Sequence, residues 1–138
     1  MAAQRGQCLC GAVTFTAENV ESDFGACHCR MCQRWSGGIF FATTSREVAF
    51  DGEEQIARYR SSDWAERGFC SKCGTHLFYR VVKSGEYEMC VGTFDDQSDF
   101  DLTTEIFVDR KPAGYSLAGD HPRLTEAETL EKYKEYSE

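Results

Sequence analysis

The sequence predicts a mainly β protein built as one domain over residues 1–138. Most apolar residues lie in short runs that are rich in β-branched and aromatic side chains and are separated by turn signals. In addition, seven of the eight cysteines occur in closely spaced groups, which is typical of metal ligands. A chain of this length has a modest core, and metal sites would reinforce it.

The strands follow from these runs in chain order. Segment 11–17 alternates apolar and polar side chains, with Val13, Phe15 and Ala17 on one face, and this predicts a half-buried strand. Further strands are predicted through Phe24 to Cys27 and over 39–44, 47–50, 55–60, 64–69, 75–82, 87–91 and 104–109. The three strands within 39–60 are expected to be successive antiparallel neighbours. A hairpin is expected around the Ser84-Gly85 turn.

Helix is predicted in two places. A helical turn over 33–38 follows Cys32 and ends at two glycines. Near the end of the chain, Thr125 and Glu128 fit a capping box. Residues 125–138 are therefore predicted to form a short polar helix that carries Leu130 and Tyr133 on one side.

A first set of cysteines combines Cys8 and Cys10 with Cys70 and Cys73, a CxC pair and a CxxC pair far apart in sequence. Four thiolates can close a tetrahedron around zinc, so this set predicts a structural site. Disulfides are the weaker alternative, because CxC spacing suits them poorly. No apolar leader precedes Cys8, so a reducing, cytoplasmic location is expected.

A second set crowds Cys27, Cys29 and Cys32 into six residues. Three protein ligands with an open fourth position are typical of catalytic zinc, so these cysteines are the candidate catalytic and metal-binding residues. We expect such a site to activate a thiol, which would then attack an aldehyde carbon. The alternative is that both zincs are architectural and that the domain is a non-catalytic binding module for a protein partner or a small thiol.

Other residues near these motifs have expected roles of their own. Strand alternation should turn His28 away from the metal and into a supporting or packing role, although its place between two ligands would also suit catalysis. His76 is expected to be structural, His121 an exposed loop residue, and Cys90 a small buried apolar residue. Arginines that could bind substrate carboxylates, or pair with the protein's own acids, are Arg30, Arg34, Arg58, Arg60 and Arg80. Trp35 and Phe94 could line a pocket or pack in the core.

The charge balance restricts the partners. The net charge of −8 disfavours nucleic acid, because phosphate neutralisation needs a basic face. No apolar run approaches the ~20 residues of a membrane span. Neither nucleic acid nor a membrane is therefore expected as a partner, and the partners expected from the zinc chemistry are a small-molecule thiol and an aldehyde.

Four stretches carry a resemblance to a known family: 8–13, 27–37, 67–75 and 92–95. In these stretches the sequence resembles the glutathione-dependent formaldehyde-activating family, which includes the centromere-protein-V-like proteins, over about residues 6–124. The resemblance implies a β-tent of antiparallel sheets with zinc knuckles at hairpin tips, and two zincs per chain. It assigns the structural zinc to Cys8, Cys10, Cys70 and Cys73 and the catalytic zinc to Cys27, Cys29 and Cys32.

The resemblance also implies an activity, a carbon-sulfur lyase that joins glutathione and formaldehyde into S-(hydroxymethyl)glutathione. Two positions depart from the family pattern. Glu105 stands where many members have a His, and Gly114-Tyr115 stands where many have a Trp. The departures indicate a different substrate pocket.

Overall fold

The computed structural model describes residues 3–134. Its strands are β1 Gln4–Gln7, β2 Thr14–Glu18, β3 Asp23–Cys27, β4 Phe40–Ser45, β5 Glu47–Asp51, β6 Ile56–Arg60, β7 Ala65–Cys70, β8 His76–Val81, β9 Tyr87–Cys90 and β10 Asp101–Ile106. The helices are α1 Arg30–Ser36 and α2 Glu126–Lys132, with short 3₁₀ turns at Glu53–Gln55, Val91–Thr93 and Val108–Arg110. The predicted mainly β class is confirmed.

The strands form two sheets. The smaller sheet has the order β1-β2-β5, and the larger has the order β10-β3-β4-β9-β8-β7-β6. Neighbouring strands are antiparallel except β10, which runs parallel to β3. The sheets are therefore antiparallel as expected apart from this edge, where the chain passes from β9 beyond β4 and β3 before β10 begins.

The pairing of β4, β5 and β6 also differs from the prediction. These strands are not mutual neighbours: β4 pairs with β3 and β9, β5 pairs with β2, and β6 pairs with β7. The chain changes sheets after β4, where the Ser45 hydroxyl donates to the Glu18 carbonyl at 2.9 Å. It changes back at Gly52, where φ is 77° and a Cβ atom would lie only 2.0 Å from the Ala12 carbonyl oxygen, so the position has no room for a side chain. By contrast, the predicted hairpin of β8 and β9 is confirmed.

The core takes side chains from both sheets. As predicted, Val13, Phe15 and Ala17 are all buried on one face. Phe94 belongs to this core, and its ring meets the Phe15 ring edge-on with centroids 5.2 Å apart. Of the two roles considered for Phe94, it therefore packs in the core rather than lining a pocket. Cys90, expected to be a small buried residue, is half-buried.

The two helices are short and capped. Helix α1 begins three residues earlier than predicted and ends at Gly37, whose φ of 80° is left-handed. The Thr125–Glu128 capping box of α2 is confirmed. The buried residue of α2 is Thr129, however, whereas Leu130 and Tyr133 are exposed. The remainder of the predicted helix, residues 135–138, lies outside the described residues. Among the helices of residues 3–134, none is long and apolar enough to cross a membrane.

Candidate metal centres

The four-thiol cluster consists of Cys8, Cys10, Cys70 and Cys73, and all four Sγ atoms lie within 4.8 Å of one another. Cys8 and Cys10 lie between β1 and β2, while Cys70 and Cys73 lie at the tip of the β7–β8 hairpin. The tips of two hairpins thus supply one cluster, as the sequence predicted.

The geometry of this cluster fits a tetrahedral metal. Sγ of Cys10 lies 3.7 Å from Sγ of Cys8 and 3.9 Å from that of Cys70. With zinc–sulfur bonds of about 2.3 Å, the edge of a sulfur tetrahedron is about 3.8 Å, whereas a disulfide needs about 2.05 Å. The Leu9 N–H donates to the Thr75 hydroxyl at 3.0 Å and so ties the two tips together.

The three-thiol cluster consists of Cys27, Cys29 and Cys32, whose Sγ atoms also lie within 4.8 Å of one another. It lies where β3 meets α1, in the connection that joins the antiparallel neighbours β3 and β4. Cys29 is the N-cap residue of α1, and its sulfur accepts a hydrogen bond from the Cys32 N–H at 3.3 Å. Within residues 3–134, no other His, Cys, Asp or Glu joins this group at that spacing.

The crowding of the three thiols changes their ionisation. Hydrogen bonds from Cys27 and then Cys32 hold the pKa of Cys29 far below its usual value, and the charge of Arg67 lowers it further. The pKa of Cys27 is raised, because its thiol donates to Cys29 and Cys32 and because it is buried. The three thiols thus oppose one another's ionisation, because their sulfurs lie close together. A divalent metal is what would let all three ionise together.

His28 lies between two thiols but takes part in a different set of contacts. Its ring is fully buried, and its Nε2 lies 2.8 Å from Oε1 of Glu105. The other carboxylate oxygen of Glu105 pairs with Nε2 of His121 at 2.7 Å and with Nε of Arg123 at 3.0 Å. These four residues form what we call the Glu105 network. It agrees with the supporting role expected for His28, since the ring is engaged by a carboxylate.

The Glu105 network contains residues that sequence reasoning missed. His121 was expected to be an exposed loop residue, but its side chain is only 5% exposed. Glu105 is completely buried, and although burial raises its pKa, hydrogen bonds from His121 and His28 outweigh this and keep the pKa below its usual value. The sequence signal that could have revealed this network was the departure from the family pattern at Glu105. The second departure, Tyr115, places its hydroxyl 3.4 Å from Nδ1 of the same His28.

The candidate arginines fall into two groups. Arg58 and Arg80 both pair with Glu66, and Arg60 donates to backbone carbonyls of the next loop. Arg30 and Arg34, by contrast, line an open cleft of about 350 Å³ between α1 and the loop at Tyr115. Arg30 bonds Gln33 within the same helix. The contacts of the first group are thus made within the protein, whereas Arg30 and Arg34 face solvent.

Two residues whose roles were left open or predicted from the sequence, Trp35 and His76, contact each other. Trp35 of α1 stacks on the His76 ring with centroids 4.2 Å apart and planes 8° apart, which supports the structural role predicted for His76. The pKa of His76 is lowered by burial and by the charge of Arg67. Trp35 therefore packs against β8, on the side of α1 that also carries Cys32.

The fold and the two clusters define a mainly β protein with two sites able to hold a metal ion. The family model described as glutathione-dependent formaldehyde-activating enzyme matches residues 3–110, so the chain belongs to this family. The match ends before Tyr115, His121 and Arg123, so these contacts to His28 and Glu105 come from outside the matched region.

Two relatives are similar over most of their length. An uncharacterized lyase of Schizosaccharomyces pombe is 28% identical over 127 residues, which cover 91% of this chain and 93% of the relative. The crystal structure of a Rhodobacter sphaeroides protein has a TM-score of 0.58 at 23% identity and covers 86% of this chain and 98% of that one. The second likeness concerns the fold alone.

Proposed function

We propose that the protein is a zinc-dependent carbon-sulfur lyase that joins a small thiol to a small aldehyde, or catalyses the reverse reaction. The observation that carries this proposal is the three-thiol cluster, which has metal-ligand spacing but gains no fourth donor from the described residues. A site with three protein ligands can admit an outside ligand, whereas a site with four cannot. Family membership and the lyase name of the yeast relative support the same class.

The donor sets of both clusters fit zinc, because thiolates are the ligands that soft and borderline metals prefer. Cys8, Cys10, Cys70 and Cys73 would hold a structural zinc, and Cys27, Cys29 and Cys32 a catalytic zinc. When bound at the three-thiol cluster, zinc supplies Lewis acidity that favours loss of a proton from an approaching thiol. The protein's own contribution is to supply three sulfurs and, within the described residues, no fourth donor.

The overall reaction balances without a further reactant. The thiol sulfur attacks the carbonyl carbon, a carbon–sulfur bond forms and the carbonyl double bond becomes single. The proton released by the thiol ends on the former carbonyl oxygen, which gives a hydroxymethyl thioether when the aldehyde is formaldehyde. Holding both reactants in one pocket lowers the entropic cost of this bimolecular step.

Glutathione and formaldehyde are the substrates that the family description suggests. Glutathione carries two carboxylates, and arginine binds carboxylates through paired N–H donors. Arg30 and Arg34 line the cleft along α1, so we expect these two arginines, rather than Arg58, Arg60 or Arg80, to contact the thiol substrate. We also expect the protein to work where thiols stay reduced, as in the cytoplasm.

The test is catalysis of an exchange that also proceeds spontaneously. Exchange NMR with ¹³C-formaldehyde measures the rate of adduct formation above background for glutathione, cysteine and cysteamine. We expect a rate enhancement that is largest for glutathione. Cys29→Ser should abolish the enhancement, whereas Cys90→Ser, which removes a thiol outside both clusters, should retain it.

The proposal fails if the zinc-loaded protein gives no enhancement with any thiol and aldehyde pair. With both metal sites shown to be full by native mass spectrometry, that result would favour the non-catalytic binding module. Enhancement that survives Cys29→Ser would equally remove the three-thiol cluster from the reaction.

A further inference from the structure

Arg67 connects the two clusters in an unexpected way. In sequence it lies in β7, three residues before Cys70 of the four-thiol cluster. Its side chain nevertheless reaches the three-thiol cluster, where Nη1 and Nη2 each lie 3.7 Å from Sγ of Cys32. The residue is only 3% exposed.

The surroundings fix the guanidinium in place. Its central carbon lies 5.1 Å from the ring centre of Trp35 and 4.9 Å from that of Tyr79. Its Nε donates to the Ser61 hydroxyl at 3.2 Å. Planar stacking on aromatic rings combined with paired N–H donors is particular to arginine, since lysine offers a point charge without a fork.

The charge of Arg67 is not paired with a carboxylate in the part of the chain that the structure describes. Within residues 3–134, no Asp or Glu oxygen lies within ion-pair distance of Arg67. A buried cation is costly unless a negative group compensates it. The sulfur of Cys32 is the group that both terminal nitrogens face, so the three-thiol cluster supplies the counter-charge.

We propose that Arg67 is a positioning residue of the three-thiol cluster, which donates two N–H···S hydrogen bonds to Cys32 and offsets the negative charge that three thiolates leave on a metal centre. The proposal deepens the proposed function and rests on metal binding at that cluster. Three thiolates and a divalent cation carry a net charge of −1, and an incoming thiolate would add another. In a chain with a net charge of −8, the guanidinium removes this local repulsion.

The experiment compares cobalt-loaded Arg67→Gln, Arg67→Lys and a matched control. Arg58→Gln is the control, because Arg58 also stacks on an aromatic ring, Phe78 at 5.1 Å, and lies on β6 opposite Gly68 of β7. Both glutamine variants remove one positive charge from the same sheet. Arg58, however, pairs with Glu53 and Glu66.

We expect Arg67→Gln to weaken cobalt binding at the three-thiol cluster by about 10–100-fold, as loss of a hydrogen-bonding partner of a ligand typically does. The thiolate-to-cobalt absorption should move to longer wavelength, because the Cys32 lone pairs lose two donors. The affinity of the cobalt protein for glutathione should also fall. Arg67→Lys should recover part of the affinity but not the band position, and Arg58→Gln should change neither.

The inference is overturned if Arg67→Gln binds cobalt with wild-type affinity and an unshifted band, even when its melting temperature falls, because the role is then structural. If Arg67→Gln does not fold, the unshifted band of a folded Arg67→Lys protein overturns it equally. Cobalt affinity and band position are read without turnover. They therefore decide the role of Arg67 even if exchange NMR disproves the lyase.

Discussion

The four-thiol cluster and the three-thiol cluster are held in place by opposite means. The four-thiol cluster joins segments about 60 residues apart, as the Cys10–Cys70 contact shows, so the metal it holds would itself cross-link the fold. The three-thiol cluster lies within six residues, and a metal there cross-links nothing distant. Its loop is held instead by the contact of His28 with Glu105 and by the contact of Cys32 with Arg67.

The difference indicates which metal site the protein can lose without unfolding. A site that closes long loops contributes to folding, whereas a site built on one loop can exchange its ligand or even its metal at little cost to the whole. Such freedom is what a catalytic position needs. The comparison leads to three tests of stability, given from the largest expected effect to the smallest.

The largest effect is expected from Cys73→Ser compared with Cys29→Ser. Loss of one sulfur from the four-thiol cluster should remove a metal whose binding supports folding, and typical net stabilities are only about 5–15 kcal/mol. We expect Cys73→Ser to lose cooperative thermal unfolding by circular dichroism. Cys29→Ser should bind one metal fewer by native mass spectrometry and keep a transition close to that of the wild type. Equal loss of stability in both variants would contradict the division between the clusters.

A smaller effect is expected from Glu105→Gln. The substitution leaves His28, His121 and Arg123 facing an uncharged group. Because the Glu105 carboxylate is buried while the Arg123 side chain is 36% exposed, we expect a cost of about 3 kcal/mol, the lower end for breaking a buried ion pair. Urea unfolding should show this loss. The matched control is Glu66→Gln, which breaks pairs with Arg58 and Arg80 near the surface and should cost about 1 kcal/mol or less.

Glu105→Gln also tests what holds the three-thiol cluster. We expect a chelator to remove the metal of this cluster from Glu105→Gln at lower concentration than from wild type, while the metal of the four-thiol cluster stays bound. If the metal of the three-thiol cluster leaves Glu105→Gln at the same chelator concentration as it leaves the wild type, the Glu105 network does not support the loop.

The smallest effect concerns the pH dependence of stability and Glu88 of β9. Burial raises the pKa of this carboxyl to about 7, although hydrogen bonds from Thr44 partly oppose the shift. The folded state then holds the proton more tightly than the unfolded state. Stability should therefore fall as pH rises from about 4.5 to about 7, by up to about 3 kcal/mol.

Glu88→Gln should remove this fall and make the protein more stable than wild type near neutral pH. Urea unfolding at several pH values measures both. In the same variant, acid should release the metal of the three-thiol cluster before that of the four-thiol cluster, because three ligands compete with protons less well than four. A wild-type pH profile in Glu88→Gln would show that the carboxyl ionises normally.

The sequence by itself determined what depends on neighbours in the chain. The alternation of Val13, Phe15 and Ala17 predicted a strand face, and the Thr125–Glu128 capping box predicted a helix start. The spacings of seven cysteines predicted both clusters. Apart from the meeting of Cys8 and Cys10 with Cys70 and Cys73, these features are local, since side-chain direction and ligand reach follow from a few consecutive residues.

Only the tertiary structure decided which distant groups meet. The chain changes sheets around β5 and enters β10 parallel to β3, and no local pattern records either choice, because both depend on which strand edges remain free. For the same reason Arg67, three residues from one cluster, serves the other, and His121 is buried against Glu105. A charged side chain looks exposed in sequence, and only its partner from elsewhere in the fold makes burial possible.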